Sequence, residues 1–279
     1  MQLQESIKKL NHDNLPFILI GGGSNLLISD HGIDFYVIHY FSESPIITQN
    51  GNELTVSGST LLDDLVIFAA DQGLEGINVL SGIPGTVGGA VVGNAGAFGK
   101  QIGDVLIKST LITPQVEIKE VTVTDLNFSY RNSILRKSQN IVLSITLLLS
   151  QSDKTTLYTK RKDILKLRHE KHPNLKTHPC AGSFFRNIEP TSAAEKRQAA
   201  GWFLEQAGAH DLKCGEAYVF PKHANIITHH PSASAQEVYD LSLEMAQKVK
   251  DQFDLDLVRE VCCIGKFKRM PDGIKNLVW

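Results

Sequence analysis

Apolar residues in the first half of the chain come in short runs closed by turn-forming residues, the pattern of strands rather than helices. "LPFILIGGGSN" is a buried strand that breaks into a glycine loop, and a further strand is expected after that loop. "YVIHY", "NELTVSGS", "VLIKSTLIT", "QVEIKEVTV" and "NIVLSITLLLS" predict more strands. Among them, Leu61, Leu65, Phe68 and Ala69 recur at helical spacing, with Thr60 as candidate N-cap and Gly73 as the stop. From Asp153 the pattern changes. "DKTTLYTKRKDILKLRHEKHPNLK" is charged and predicts a helix to about His172, stopped by Pro173. Two helices follow, in "TSAAEKRQAAGWFLEQAG", closed by Gly208, and in "SAQEVYDLSLEMAQKVKDQF". The latter opens with Ser234 and Glu237 in capping-box spacing and carries Val238, Leu241, Met245 and Val249 down one face. The expected division is therefore a strand-rich domain over 1–152 and a smaller domain over 153–279, with an α+β fold.

Composition narrows the class without naming a chemistry. The 279 residues are 42% hydrophobic and 21% charged, with net charge −2, so no field favours nucleic acid or an anionic membrane. No run reaches membrane-span length, and "MQLQESIKKLNHDN" lacks a signal-peptide pattern. Cys180, Cys214, Cys262 and Cys263 have neither zinc spacing nor disulfide density, which points to a reducing cytoplasm, and Cys262 and Cys263, adjacent in an apolar run, read as buried free thiols. The histidines of "THHP" and "KHPN" lack a second ligand pair, so no metal is assigned.

Two stretches depart from ordinary packing. "IGGGSN" ends a strand with Gly21, Gly22 and Gly23, then Ser24 and Asn25, and its amides suit an anion-binding nest. It has no Gly-Lys-Ser/Thr and its glycines are contiguous, so it is neither a Walker loop nor a Rossmann fingerprint. About 60 residues on, "LSGIPGTVGGAVVGNAGAFGKQIGD" is dense in glycine and nearly uncharged. Two such loops suit the walls around an elongated ligand such as a dinucleotide, whose pyrophosphate backbone amides can neutralise; glycine packing of a sheet against a helix is the alternative. "FSYRNS" offers Tyr130 and Arg131, the arginine suited to clamp a carboxylate or phosphate or else to a surface ion pair. "HPCAGSFFRN" presents Ser183 after two small residues, with no nucleophile elbow and no triad, so proton donation or hydrogen bonding suits it better than attack. "DLDLVREVCCIG" sets Glu260 in an otherwise apolar strand, either desolvated for function or facing outward.

Taken in order, "LIGGGSNLLISD", the long glycine motif, "FSYRNSIL", "AGSFFRN", "AAGWFLEQAG", "KHANIIT" and "LVREVCCIG" resemble the UDP-N-acetylenolpyruvoylglucosamine reductase (MurB) family over nearly the whole chain. The glycine motif is also similar to the wider group of vanillyl-alcohol-oxidase-like flavoproteins. The resemblance implies an FAD-binding domain of two α+β subdomains, then a substrate domain. FAD would lie across Gly21, Gly22, Gly23, Ser24 and Asn25 on one loop and Gly82, Ile83, Pro84, Gly85, Gly88, Gly89, Asn94 and Gly96 on the other. It implies NADPH as hydride donor and a UDP-sugar enolpyruvyl ether as substrate, with no obligate protein partner. Ser183 would be the proton donor, Arg131 and Glu260 its catalytic companions, and Tyr130, Arg186, Asn187, Lys213 and Lys222 substrate contacts.

Against the family pattern, the chain opens almost inside the first helix, so the first FAD subdomain is expected to lack its initial strand. Arg186 stands where lysine is common and His229 where asparagine is, and the span from Ser183 to Glu260 is that of the shorter family type. Two rivals remain: another FAD-dependent oxidoreductase of this fold, and a cofactor-free nucleotide-sugar-binding protein.

Overall fold

The structure, a computed structural model, describes residues 2–190 and 196–270. It divides into two units, the first built from residues 2–23 and 34–167, the second from 24–33 and 168–270. This grouping differs from a cut at 152/153 in two places, each with a visible cause. The predicted strand after the glycine loop, Leu26–Ile28, pairs in parallel with Cys262–Ile264 and so groups with the second unit. The charged helix, Lys154–Lys171, is tied within the first unit by Tyr158 to Asp71, Lys160 to Glu75 and Arg161 to Asp63.

In the first unit, five antiparallel strands run in the order Ile118–Thr122, Leu106–Ile112, Ile141–Leu148, Glu53–Ser57 and Ile47–Asn50. In Glu53–Ser57, Leu54 and Val56 are buried while Glu53 and Thr55 are exposed. They join Leu62, Leu65, Val66 and Ala69 of the Leu62–Asp71 helix in one apolar core. That helix is where it was expected, but Leu61, not Thr60, is its N-cap. The cap has no side-chain bond; the Leu62 N–H donates instead to the Gly85 carbonyl, and Thr60 Oγ1 accepts from Ile46 N–H. A separate parallel pair, Phe17–Ile20 with Tyr36–His39, follows the helix Gln2–His12. Val87–Val92, a helix without a sequence signal, forms inside the glycine motif, capped by Thr86. Periodicity is blind to a six-residue helix rich in glycine.

The second unit packs Ala200–Gln206 and Ala235–Phe253 around Phe203, Leu204, Val238, Leu241, Met245 and Val249, against the strands Lys213–Cys214, Ala217–Val219 and Ile227–His229. The Ser234–Glu237 capping box forms as predicted, with both reciprocal bonds. The helix expected across 191–208 is observed only over Ala200–Gln206; 191–195 lie outside the described residues. No helix of the described residues is long and apolar enough to cross a membrane.

Candidate active site

The two glycine loops, 60 residues apart in sequence, meet in the first unit. A Cβ on Gly21 would collide with Thr86 Oγ1, and one on Gly22 would lie 2.9 Å from Gly85 Cα. The second loop holds its own shape. Gly88 N–H donates to the Gly58 carbonyl at 2.8 Å, Val87 N–H to Thr60 at 2.8 Å and Ile83 N–H to Leu80 at 3.1 Å. Gly82 N–H donates to Asp63 Oδ1 at 2.8 Å, and Arg161 grips that carboxylate with two bonds of 2.6 Å. Arg161 is only 12% exposed, and the Asp63 carboxylate raises its already high pKa further. A bidentate pair therefore braces the loop at Gly82.

The glycines do not all serve one purpose. Gly88 and Gly96 are needed by the protein's own backbone: Cβ atoms there would press on the Gly58 carbonyl and on Lys100 and Gln101. Gly21 and Gly22 are packed in the same way, against Thr86 and Gly85. That packing draws the two loops together, and Gly22 and Gly23 are exposed there as bare main chain, a form that suits an extended phosphate-bearing ligand. Gly23, at φ +64°, has open space where its Cβ would project. Ile83 packs on the core and Pro84 is exposed. Asn94, expected to face the cofactor, is fully buried and uses its amide inside the protein: Nδ2 donates to the Ser129 carbonyl at 2.9 Å and Oδ1 accepts from Gly103 N–H at 3.2 Å.

That bond anchors the turn that presents Arg131. Ser129 and Asn132 exchange backbone bonds of 3.0 and 3.1 Å across the two-residue loop Tyr130–Arg131. Arg131 sits at φ +54°, its guanidinium 5.4 Å from the centre of the Tyr130 ring. A non-glycine residue in the left-handed region costs about 1–2 kcal/mol, and such strain gathers at functional sites.

Ser183 and Glu260 are brought together in the second unit. Ser183 bridges Ile226, Phe185 bridges Arg259, and the Glu260 N–H donates to the Phe184 carbonyl at 2.8 Å. Arg186 N–H continues the contact to Val258 at 2.8 Å. Asn25 joins the same strip: its Nδ2 donates to the Glu260 carbonyl at 3.1 Å and its own carbonyl accepts from Cys262 N–H at 3.0 Å. Glu260 was expected inside a strand; it is half-buried two residues before Cys262–Ile264, in backbone pinned by single bridges. Among the described residues, the buried Nε of Arg186 has no hydrogen-bond partner, a donor available to an anionic ligand. Asn187 is used structurally, its Oδ1 accepting from Ala200 N–H at 3.2 Å at the start of a helix. Lys213 and Lys222 are exposed, on a short hairpin strand and in a turn.

The residue that reading the sequence missed is Asn225. It is 2% exposed, and its amide clasps Phe185 from both ends. Its only signal was membership of "KHANIIT". Beside it, burial holds the His223 imidazole below its ordinary range, and burial, then His223, Arg168 and Lys171 push His172 down to about 4.

The fold and the paired glycine loops define the class: residues 1–122 match the family model described as an FAD binding domain. Residues 172–264 match the model of the C-terminal domain of UDP-N-acetylenolpyruvoylglucosamine reductase. The chain is 35% identical to the UDP-N-acetylenolpyruvoylglucosamine reductase of Bacillus pumilus, over 89% of this chain and 79% of the relative. It is also 35% identical to that of Nostoc punctiforme, over 95% and 78%. The crystal structure of the Thermus caldophilus reductase superposes with a TM-score of 0.76 at 28% identity, covering 94% of this chain and 90% of that one. The chain belongs to the UDP-N-acetylenolpyruvoylglucosamine reductase family.

Proposed function

We propose that this chain is an FAD-dependent, NADPH-using oxidoreductase that reduces UDP-N-acetylglucosamine enolpyruvate to UDP-N-acetylmuramate, a cell-wall precursor, in the bacterial cytoplasm. Family membership supports the reaction, and the convergence of Gly21 and Gly22 on Gly85 and Thr86 supports the cofactor. The bare loops suit FAD, with Gly21–Gly23 and Gly82–Gly85 as the residues that would hold it and the Arg161–Asp63 pair as their brace. Bound flavin supplies hydride, received from NADPH, for C3 of the enolpyruvyl group.

The observation that carries the reading is Ser183 placed one residue from the Phe184–Glu260 bond, 77 positions apart in the chain. The Ser183 hydroxyl gives its proton to C2 as hydride arrives at C3, so the double bond is consumed and the ether oxygen keeps both its bonds. A serine hydroxyl is a weak acid and needs a polarised neighbourhood. Glu260 is proposed to hydrogen-bond the reacting centre, and Arg131 to stabilise the charge that develops on the carboxylate side. Arg186, with its unpartnered Nε, is proposed for an anionic part of the substrate, and Tyr130 for a further contact; Lys213 and Lys222 are the more peripheral cations.

The test is an anaerobic visible spectrum of the purified protein, before and after NADPH and then the enolpyruvyl ether. A flavin band that bleaches and returns supports cofactor, donor and acceptor together. Bleaching without return retains a flavoenzyme and removes this substrate. Absence of any band after added FAD favours the nucleotide-sugar-binding rival.

A further inference from the structure

The backbone that carries Ser183 has no regular sheet to hold it. It is fixed by isolated bridges from Ser183 to Ile226 and from Phe185 to Arg259. Asn225 supplies what a strand would. Its Oδ1 accepts from Phe185 N–H at 2.9 Å and its Nδ2 donates to the Phe185 carbonyl at 2.8 Å. Those two bonds to one residue reproduce the paired exchange of an antiparallel ladder. Its main-chain carbonyl takes the Phe184 N–H at 2.8 Å, while the Phe184 carbonyl takes Glu260 N–H from the other side. Asn225 therefore anchors the Ser183 segment, which in turn holds Glu260 through the Phe184 carbonyl.

The anchor is itself held. The Asn225 N–H donates to His223 Nδ1 at 3.2 Å, which requires a lone pair on that nitrogen and so an unprotonated ring. We infer that Asn225, fixed through His223, is the positioning residue for proton delivery from Ser183; this rests on the role of Ser183 given above. Proton transfer tolerates little displacement, whereas flavin reduction by NADPH does not use the Ser183 hydroxyl. Protonating His223 removes the acceptor for Asn225 and loosens the anchor. The groups that bear on that ring are His172, Lys171, His210 and Glu205; burial, with Lys171 and His210, disfavours its protonation against the opposing pull of its own backbone hydrogen bond and of Glu205. Arg168 and Lys171 in turn bear on His172.

The test follows the two half-reactions separately in the FAD-loaded protein, by rapid anaerobic mixing with NADPH and then with the enolpyruvyl ether. Asn225→Asp replaces the Nδ2 donor with an oxygen that faces the Phe185 carbonyl; His223→Ala removes the Nδ1 acceptor. Both are expected to keep the flavin reduction rate and to slow reoxidation by about tenfold or more, within the ~100-fold that a 1 Å misplacement can cost. Their solvent deuterium isotope effect on reoxidation should rise, because the proton step becomes limiting. His223→Asn, whose Oδ1 takes the place of Nδ1, should restore both readouts. If Asn225→Asp does not fold, the two His223 variants decide. Reoxidation at the wild-type rate and isotope effect in the folded variants overturns the inference, as does an equal loss of both half-reactions. If wild-type protein is not reoxidised by the enol ether, or Ser183→Ala reoxidises as fast, the functional reading fails and takes this inference with it.

Discussion

The first unit prepares its proposed site by leaving side chains out, whereas the second prepares its own by placing side chains on backbone that has almost no regular structure. At Gly21 and Gly22 the useful feature is an absence, which lets one glycine loop close on Thr86 and Gly85 of the other, beside a five-stranded sheet and a continuous apolar core. At Ser183, Arg186 and Glu260 the useful features are a hydroxyl, a guanidinium and a carboxylate on segments joined by single bridges and by Asn225. Close approach of main chain to a ligand needs rigid, bare backbone, while proton transfer needs one atom aimed at another.

The sharpest separation of the two is Ser183→Ala. It should leave flavin reduction by NADPH intact and slow reoxidation by the enolpyruvyl ether by about a hundred- to ten-thousand-fold, the usual worth of a positioned proton donor. Reoxidation at the wild-type rate would mean that the second unit's chemistry does not rest on Ser183, and equal loss in both steps would point to a folding or cofactor defect. The converse variant is Gly21→Ala, whose new methyl meets Thr86 Oγ1 and forces that side chain out of its cap on Gly89 N–H. Flavin content, read as the visible-to-ultraviolet absorbance ratio, should drop sharply, while the second unit keeps its fold by circular dichroism. Full flavin occupancy in Gly21→Ala would detach the cofactor from this loop.

A smaller effect concerns acid stability of the second unit. His172 has a folded pKa of about 4 against 6.5 for the free group. As pH falls, the unfolded chain takes the proton first, so stability present above pH 6.5 is lost progressively towards pH 4. His223 is shifted in the same direction. His172→Gln should therefore flatten the acid limb of the melting curve across that window; an unchanged limb would place the acid-sensitive group elsewhere. The smallest effect is Ser234→Ala, which removes a cap on the Ala235–Phe253 helix and should cost about 1 kcal/mol in denaturant unfolding without touching either half-reaction.

These variants also mark what could be read without coordinates. The Leu62–Asp71 helix and the Ser234 capping box were legible because their signals are local: spacing of 3.6 and a cap three residues from its partner. So was the α+β class, and the motif order by which the chain resembles its family. Glycine density could announce bare backbone, but it could not separate Gly23, which has open space where a side chain would project, from Gly88, which is pressed on Gly58. Likewise, Asn94 and Asn225 are both amides in named motifs. One anchors the Arg131 turn and the other the Ser183 segment, through contacts 35 and 40 residues away.

The sequence by itself determined the main strands, the Leu62–Asp71 and Ala235–Phe253 helices, the Ser234 cap and which residue types are available for chemistry, because those depend on neighbours within a few positions. Only the tertiary structure decided that Leu26–Ile28 lies against Cys262–Ile264, that Asn187 caps a helix and that Ser183 shares a strip with Glu260. The physical reason is that each of these pairings satisfies backbone or amide groups buried by folding, and the partner of a buried polar group is chosen by the packed chain, not by its distance along it.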